Sequence, residues 1–138
     1  MSAVPHEVVD SDRLPPARGF SHAVIAAPGR TLYLGGQTAH GPDGVLRGNT
    51  IVEQFDQAAA NVLVALEAAG ARPEDLVSLQ IFVTDAEEYR SSLEGIGEIW
   101  RERFGRRYPA MALFEVAGLF EAAAKVELVG IAVIPDSG

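Results

Sequence analysis

Apolar residues at Val52, Phe55, Ala59, Val62, Leu63 and Leu66 recur at helical spacing. Thr50-Ile-Val-Glu53 stands in front of them as a capping box, in which the threonine caps the helix and the glutamate reaches back. Gly70 marks the stop. The spacing therefore predicts a long amphipathic helix. A second helix is predicted from Asp85, with Glu88 repeating the capping-box logic and Tyr89, Leu93, Ile96, Trp100 and Phe104 as its apolar face. Gly95 and Gly97 weaken it by about 1 kcal/mol each relative to alanine, which suggests close packing or a local irregularity there.

Shorter apolar runs predict strands. Leu76 to Val83 reads as a buried strand, Ala110 to Val116 as the next and Lys125 to Ile134 as the last, with Ala117 to Ala124 as a short loop before it. A short strand around Glu7 to Val9 precedes an irregular arm that carries Pro15 and Pro16. Ser21 to Ala27 and Thr31 to Gly36 flank a Pro28-Gly29 turn and predict a hairpin. Gly35-Gly36 ends that hairpin where side chains vanish, leaving backbone open to whatever lies nearby.

These elements predict a single α+β domain over residues 1–138, with two helices on one face of a mixed β-sheet. The strands Leu76 to Val83 and Val126 to Ile134 are too apolar for the other face to meet solvent, so self-association is expected.

Composition narrows the function. A formal net charge of -8 disfavours both nucleic acid and an anionic membrane surface as partners. The chain has no cysteine, which excludes disulfides, thiolate catalysis and zinc-thiolate sites. No apolar run reaches membrane-spanning length and the first residues carry no secretory h-region, so a cytoplasmic location is expected.

Candidate chemistry is sparse. His6, His22 and His40 have no second ligand at i+3 or i+4 on a helix, so no metal is expected. His6 and His40 lie in polar or turn segments and read as surface residues, and Glu74-Asp75 and Glu87-Glu88 as helix-start or solvated charges. His22 enters a strand beside Phe20 and Ser21 and reads as locally bonded, with a place beside a site as the alternative. Along Lys125 to Ile134 the alternation places Glu127 on one face with Val129, Ile131 and Val133. A carboxylate on such a face is either paired or lies in a cleft, a setting suited to acid-base work. Glu115 shares a face with Met111 and Leu113, and a similar argument applies to it.

An ordered set of segments resembles one family. Leu14-Pro15-Pro16-Ala17 with Phe20-Ser21-His22-Ala23-Val24 resembles its N-terminal arm, and Leu34-Gly35-Gly36-Gln37 its Ser-Gly-Gln strand end. Leu66 to Ala71 and Ile81-Phe82-Val83-Thr84-Asp85 resemble its mid-chain signature. Pro109-Ala110-Met111, Glu115-Val116-Ala117-Gly118-Leu119 and Val126-Glu127-Leu128 resemble its C-terminal signature. The family is YjgF/RidA, the reactive intermediate deaminases. The resemblance implies a chorismate-mutase-like fold and a homotrimer with a central barrel and ligand clefts at the subunit interfaces. It also implies cofactor-free hydrolysis of enamines and imines to a keto acid and ammonia.

Carried over residue by residue, the family's glutamate is Glu127 and its glycine is Gly36. Its serine falls at Gly35, its arm tyrosine at Phe20 and a helix asparagine seen in some members at Leu93. The substrate-clamping arginine falls at Met111 and the small polar residue beyond it at Leu113. Methionine cannot supply the bidentate contact of an arginine to a carboxylate. The expectation is a repurposed apolar interfacial pocket lined by Phe20, Gly35, Gly36, Leu93, Met111 and Leu113, with Glu127 as catalytic residue and His22 beside it. Its substrate would be a small molecule larger and less acidic than 2-aminoacrylate, hydrolysed or tautomerised with Glu127 as the acid-base group. A trimer that binds a metabolite or regulates a partner without turnover is the alternative. A ribonuclease role is disfavoured by the net charge of -8.

Overall fold

The computed structural model describes residues 5–136. Its six strands are β1 (Glu7–Val9), β2 (Ala23–Ile25), β3 (Gly29–Tyr33), β4 (Leu76–Val83), β5 (Ala110–Glu115) and β6 (Val126–Pro135). Its helices are α1 (Ile51–Ala68), α2 (Ala86–Arg90) and α3 (Leu93–Phe104), with a 3-10 turn at Pro73–Asp75. The main sheet has the order β3-β6-β4-β5, antiparallel except for the β4–β5 pair. Mixed sheet and helices give the α+β class.

Alternation along β6 sorts its two faces. Val126, Leu128, Gly130 and Ala132 are buried, whereas Glu127, Val129 and Ile131 stay half-buried on the opposite side. The first set packs with Phe55, Ala59, Val62 and Leu66 of α1 in one apolar core that also takes in Ile96, Trp100 and Phe104 of α3. A Cβ on Gly95 would lie 3.3 Å from the Val52 methyls, so this glycine lets α3 approach α1 closely.

Helix α1 starts as its sequence predicts, with Thr50 accepting from the Glu53 amide and the Glu53 carboxylate accepting from the Thr50 amide. The predicted second helix is two helices. Ser91 Oγ donates to the Glu87 carbonyl and the Ser92 amide to that of Tyr89, and these local bonds end α2 before α3 begins. Asp85 caps α2 by accepting from the Glu88 amide, but the Glu88 side chain does not reach back. Its carboxylate accepts from the Ile51 amide and pairs with Lys125 Nζ at 2.9 Å, tying α2 to the starts of α1 and β6. Glu88 is thus a structural tie rather than a solvated charge. Asp75 is buried as well, at 2% exposure, and accepts from the Arg72 amide.

The predicted hairpin does not form. β2 pairs with β1 (Val8↔Val24), and β3 pairs with β6 (Leu32↔Ala132). Pro28-Gly29 is a corner between two sheets, and Gly29 is already the first residue of β3. A Cβ on Gly29 would fall on the Ile134 carbonyl oxygen, so its bare backbone admits close pairing with β6. His6, read from sequence as a surface residue, is 6% exposed. Its Nδ1 accepts from the Ala27 amide at 3.0 Å and its Nε2 donates to the Val133 carbonyl at 2.9 Å, joining the small sheet to the large one. His40 is half-buried, its Nδ1 bonded to the Thr38 hydroxyl, and Asn61 of α1 donates to both carbonyls of that loop.

Gln54 holds the other end of the core. It is 1% exposed, donates to the Gly48 and Ala123 carbonyls, and accepts from the Lys125 amide at 2.7 Å. Gln54→Leu leaves these three backbone groups without their partner, and the cost should reach about 2 kcal/mol or more. Chemical denaturation checks this, with exposed Glu67→Leu on the same helix expected to change stability far less.

Candidate functional site

Strand β5 carries the centre of the candidate site. Met111 and Leu113 stand in register with Leu79 and Ile81 of β4, both buried, so their side chains look toward the helices. The N-terminal arm is fastened alongside. The Ser21 amide donates to the Pro109 carbonyl at 3.0 Å and Ser21 Oγ to the Tyr108 carbonyl at 2.5 Å. This brings Phe20 to the same place. Leu93, the first residue of α3, closes the opposite side.

Phe20, Leu93, Met111 and Leu113 together line one cavity of about 410 Å³. Its floor is formed by Phe55, Ile81, Ile96 and Trp100. The volume lies within the range of small-molecule sites, and apolar walls with few polar groups are their usual build. Three residues with polar side chains are also among the lining: Arg18, Tyr89 and Tyr108. Tyr108 stacks on Trp100 with ring centroids 5.3 Å apart, and Trp100 Nε1 donates to the Arg107 carbonyl. Burial, reinforced by the neighbouring Tyr108, pushes the Tyr89 phenol up to about 12.

Glu127, Gly35 and Gly36 are not part of this lining. Glu127 stands on the open face of the sheet, level with Phe82, whose ring stacks on Phe114 at 5.4 Å. Between Tyr33↔Ile131 and Gln37↔Leu128 the β3 side advances four residues while β6 advances three, so Leu34 to Gly36 form a bulge. A Cβ on Gly36 would fall on Glu127 Oε2, which shows that the carboxylate occupies the space this glycine leaves. Gly35 beside it faces open space. Glu115 is committed to structure, its Oε1 accepting from the Ala86 amide at the start of α2.

His22 does not line the cavity either. Its Nε2 bonds to the Pro15 carbonyl at 2.7 Å and its ring meets Phe20 edge-on at 5.1 Å, so it braces the arm behind Phe20. Among the described residues no group of histidine and acidic side chains could hold a metal ion, and no helix is long and apolar enough to cross a membrane. Arg18, Tyr89 and Tyr108 line the cavity without being expected there from the sequence. Two signals were available: Tyr89 lies four residues before Leu93, which puts both on one side of a helical stretch, and Arg18 and Tyr108 adjoin segments already singled out.

The family model described as Endoribonuclease L-PSP matches residues 10–134. The chain belongs to the YjgF/RidA family. It is 31% identical over 135 residues to the mouse 2-iminobutanoate/2-iminopropanoate deaminase, covering 96% of this chain and 95% of the relative. The goat deaminase of the same name is 29% identical, with 96% and 93% covered. Among solved structures, the Rid-family protein YyfB of Yersinia pestis, described as of unknown function, superposes with a TM-score of 0.85 at 30% identity, with 94% of this chain and 99% of that one covered. RidA from an Antarctic Psychrobacter gives 0.67 at 29% identity, with 93% and 99% covered.

The raised Tyr89 phenol has a consequence at high pH. Its folded value, about 12, lies above the ordinary phenol value of 10.0. The unfolded chain therefore loses this proton first, and Tyr89 makes the fold less stable as pH rises from about 10 to about 12. Ultraviolet titration should show one of the three tyrosines ionising late, and Tyr89→Phe should remove that step. A titration curve unchanged by the substitution would contradict the assignment.

Proposed function

We propose that this RidA-family chain is a cofactor-independent enzyme of imine or enamine chemistry, with an atypical apolar pocket suited to a substrate bulkier than 2-aminoacrylate. The observation that carries the reading is the convergence of Phe20, Leu93, Met111 and Leu113 on one cavity. In the family pattern these four positions hold polar anchors, and here apolar side chains replace all of them around a space of ligand size. Curated relatives named as 2-iminobutanoate/2-iminopropanoate deaminases support the reaction class.

The site is completed between subunits of a homotrimer. The open sheet face presents Phe82, Phe114 and Ile131, with Phe114 44% exposed, and such a surface calls for a partner. A second copy covering it would bring Glu127 of the partner subunit, with its neighbouring glycines, to the mouth of the cavity. In the reaction water adds to the C=N carbon and Glu127 takes a proton from that water and returns it to nitrogen, giving a carbinolamine; the same carboxylate then passes the proton of the new hydroxyl to nitrogen as the C–N bond breaks, and ammonia and a carbonyl product leave. A proton transfer between carbon and nitrogen would use the same carboxylate. The alternative, a trimer that binds without turnover, draws on the distance of Glu127 from the cavity within its own chain.

Imines generated in situ by an amino-acid oxidase separate these readings. Ammonia release should be slow with 2-aminoacrylate and faster with the imine of phenylalanine, and Glu127→Gln should lower the faster rate by about a hundredfold or more while sedimentation still gives three chains. A rate unaffected by Glu127→Gln would remove the carboxylate from the mechanism. Tight binding of the imine's keto-acid product without any ammonia release would favour the binding reading.

A further inference from the structure

The loss of an arginine at position 111 suggests a cavity without a cation, but the lining contains one. Arg18 is the only charged side chain among the cavity residues. It reaches that position because Gly19, with φ of +76°, turns the arm between Arg18 and Phe20, and all three residues line the cavity. Arg18 is exposed and, like several other arginines, forms no ion pair among the described residues, so no carboxylate of its own chain holds its guanidinium.

The remaining polar groups of the lining point to the same kind of ligand. Tyr89 and Tyr108 bring phenol hydroxyls, and no side-chain carboxylate or amide lines the cavity. Neither hydroxyl has a hydrogen-bond partner among the described residues. A phenol is protonated at neutral pH, so Tyr89 enters the site as a donor. A guanidinium and two phenols in an otherwise apolar space make a set rich in donors, and the ligand group that satisfies it is an anionic acceptor.

We propose that Arg18 is the anion-binding, specificity-determining residue of this cavity, and that its ligand pairs a carboxylate with a bulky apolar body. The inference rests on the reading of the cavity as the ligand site. The carboxylate lies toward the arm at Arg18, and the apolar body lies against Leu93, Met111 and Leu113. The cation that other members carry on a strand here comes from the arm, which leaves position 111 free to be apolar.

Calorimetric titration of the full chain with two probes tests this. Phenylpyruvate carries the carboxylate, and phenylacetone has the same aromatic body without it. The native protein should bind phenylpyruvate about tenfold or more tightly than phenylacetone. Arg18→Met should abolish that preference and leave phenylacetone affinity unchanged, while Arg13→Met, also in the arm but outside the cavity, should alter neither. Equal affinity for the two probes in the native protein, or a preference that survives Arg18→Met, overturns the role of Arg18 and leaves the cavity as a ligand site. Leu93→Trp, which fills the cavity from an exposed position, should remove binding of both probes. Persistence of both after Leu93→Trp, or no binding of either probe by the native protein, overturns the cavity reading and the proposal with it.

Discussion

The two-residue period of β6 is the constraint on which the rest depends. This strand lies between β3 and β4, and both of its faces are committed. Val126, Leu128 and Ala132 are buried beneath α1, which fixes the register of the sheet against the helices. The same register places Glu127 on the other side, beside the gap at Gly36. A slip of one residue would bury the carboxylate in the core and expose the leucine and valine that should fill it. Core packing and the position of the acid are therefore specified together.

The fold was legible where local pattern and long-range packing agree. The period of α1, its capping box, and the apolar runs of β4, β5 and β6 all lie where the sequence puts them. Errors arose where a distant partner outcompeted a nearby one. Pro28-Gly29 has the chemistry of a hairpin turn, yet β1 and β6 offer β2 and β3 better partners, and the bare backbone of Gly29 fits the approach to Ile134. His6 and Glu88 look like surface residues by composition. Their roles come from bonds to Val133, Ile51 and Lys125, groups far away in sequence, and no local pattern reports such bonds.

The candidate site was legible in a different way. Strand alternation pairs Met111 with Leu113, but no periodicity connects them to Phe20 on the arm or Leu93 at a helix start. Resemblance to a family grouped them, and the fold brings all four to one cavity. That resemblance was silent about Arg18 and Tyr89, because it directs attention to positions where a family residue is expected. Chemistry gained at other positions becomes visible only when the lining is assembled. Glu127 illustrates the converse, since it matches the family by sequence and stands on the opposite face of its own sheet from the cavity.

The fastening of the arm to β5 has a further consequence. β5 is an edge strand, and along it runs Ala110-Met-Ala-Leu-Phe114, without a charge or a proline. Such a stretch, with free amides and carbonyls on its outer side, is a template for adding strands from other molecules. The Ser21 amide occupies the Pro109 carbonyl, and the bridge from Ser21 to Ala110 covers the beginning of that edge. The arm that shapes the cavity thus also blunts a polymerisation-prone edge. Contacts that hold it, including the bond between His22 and the Pro15 carbonyl, bear on how long the protein stays out of aggregates as well as on what it binds.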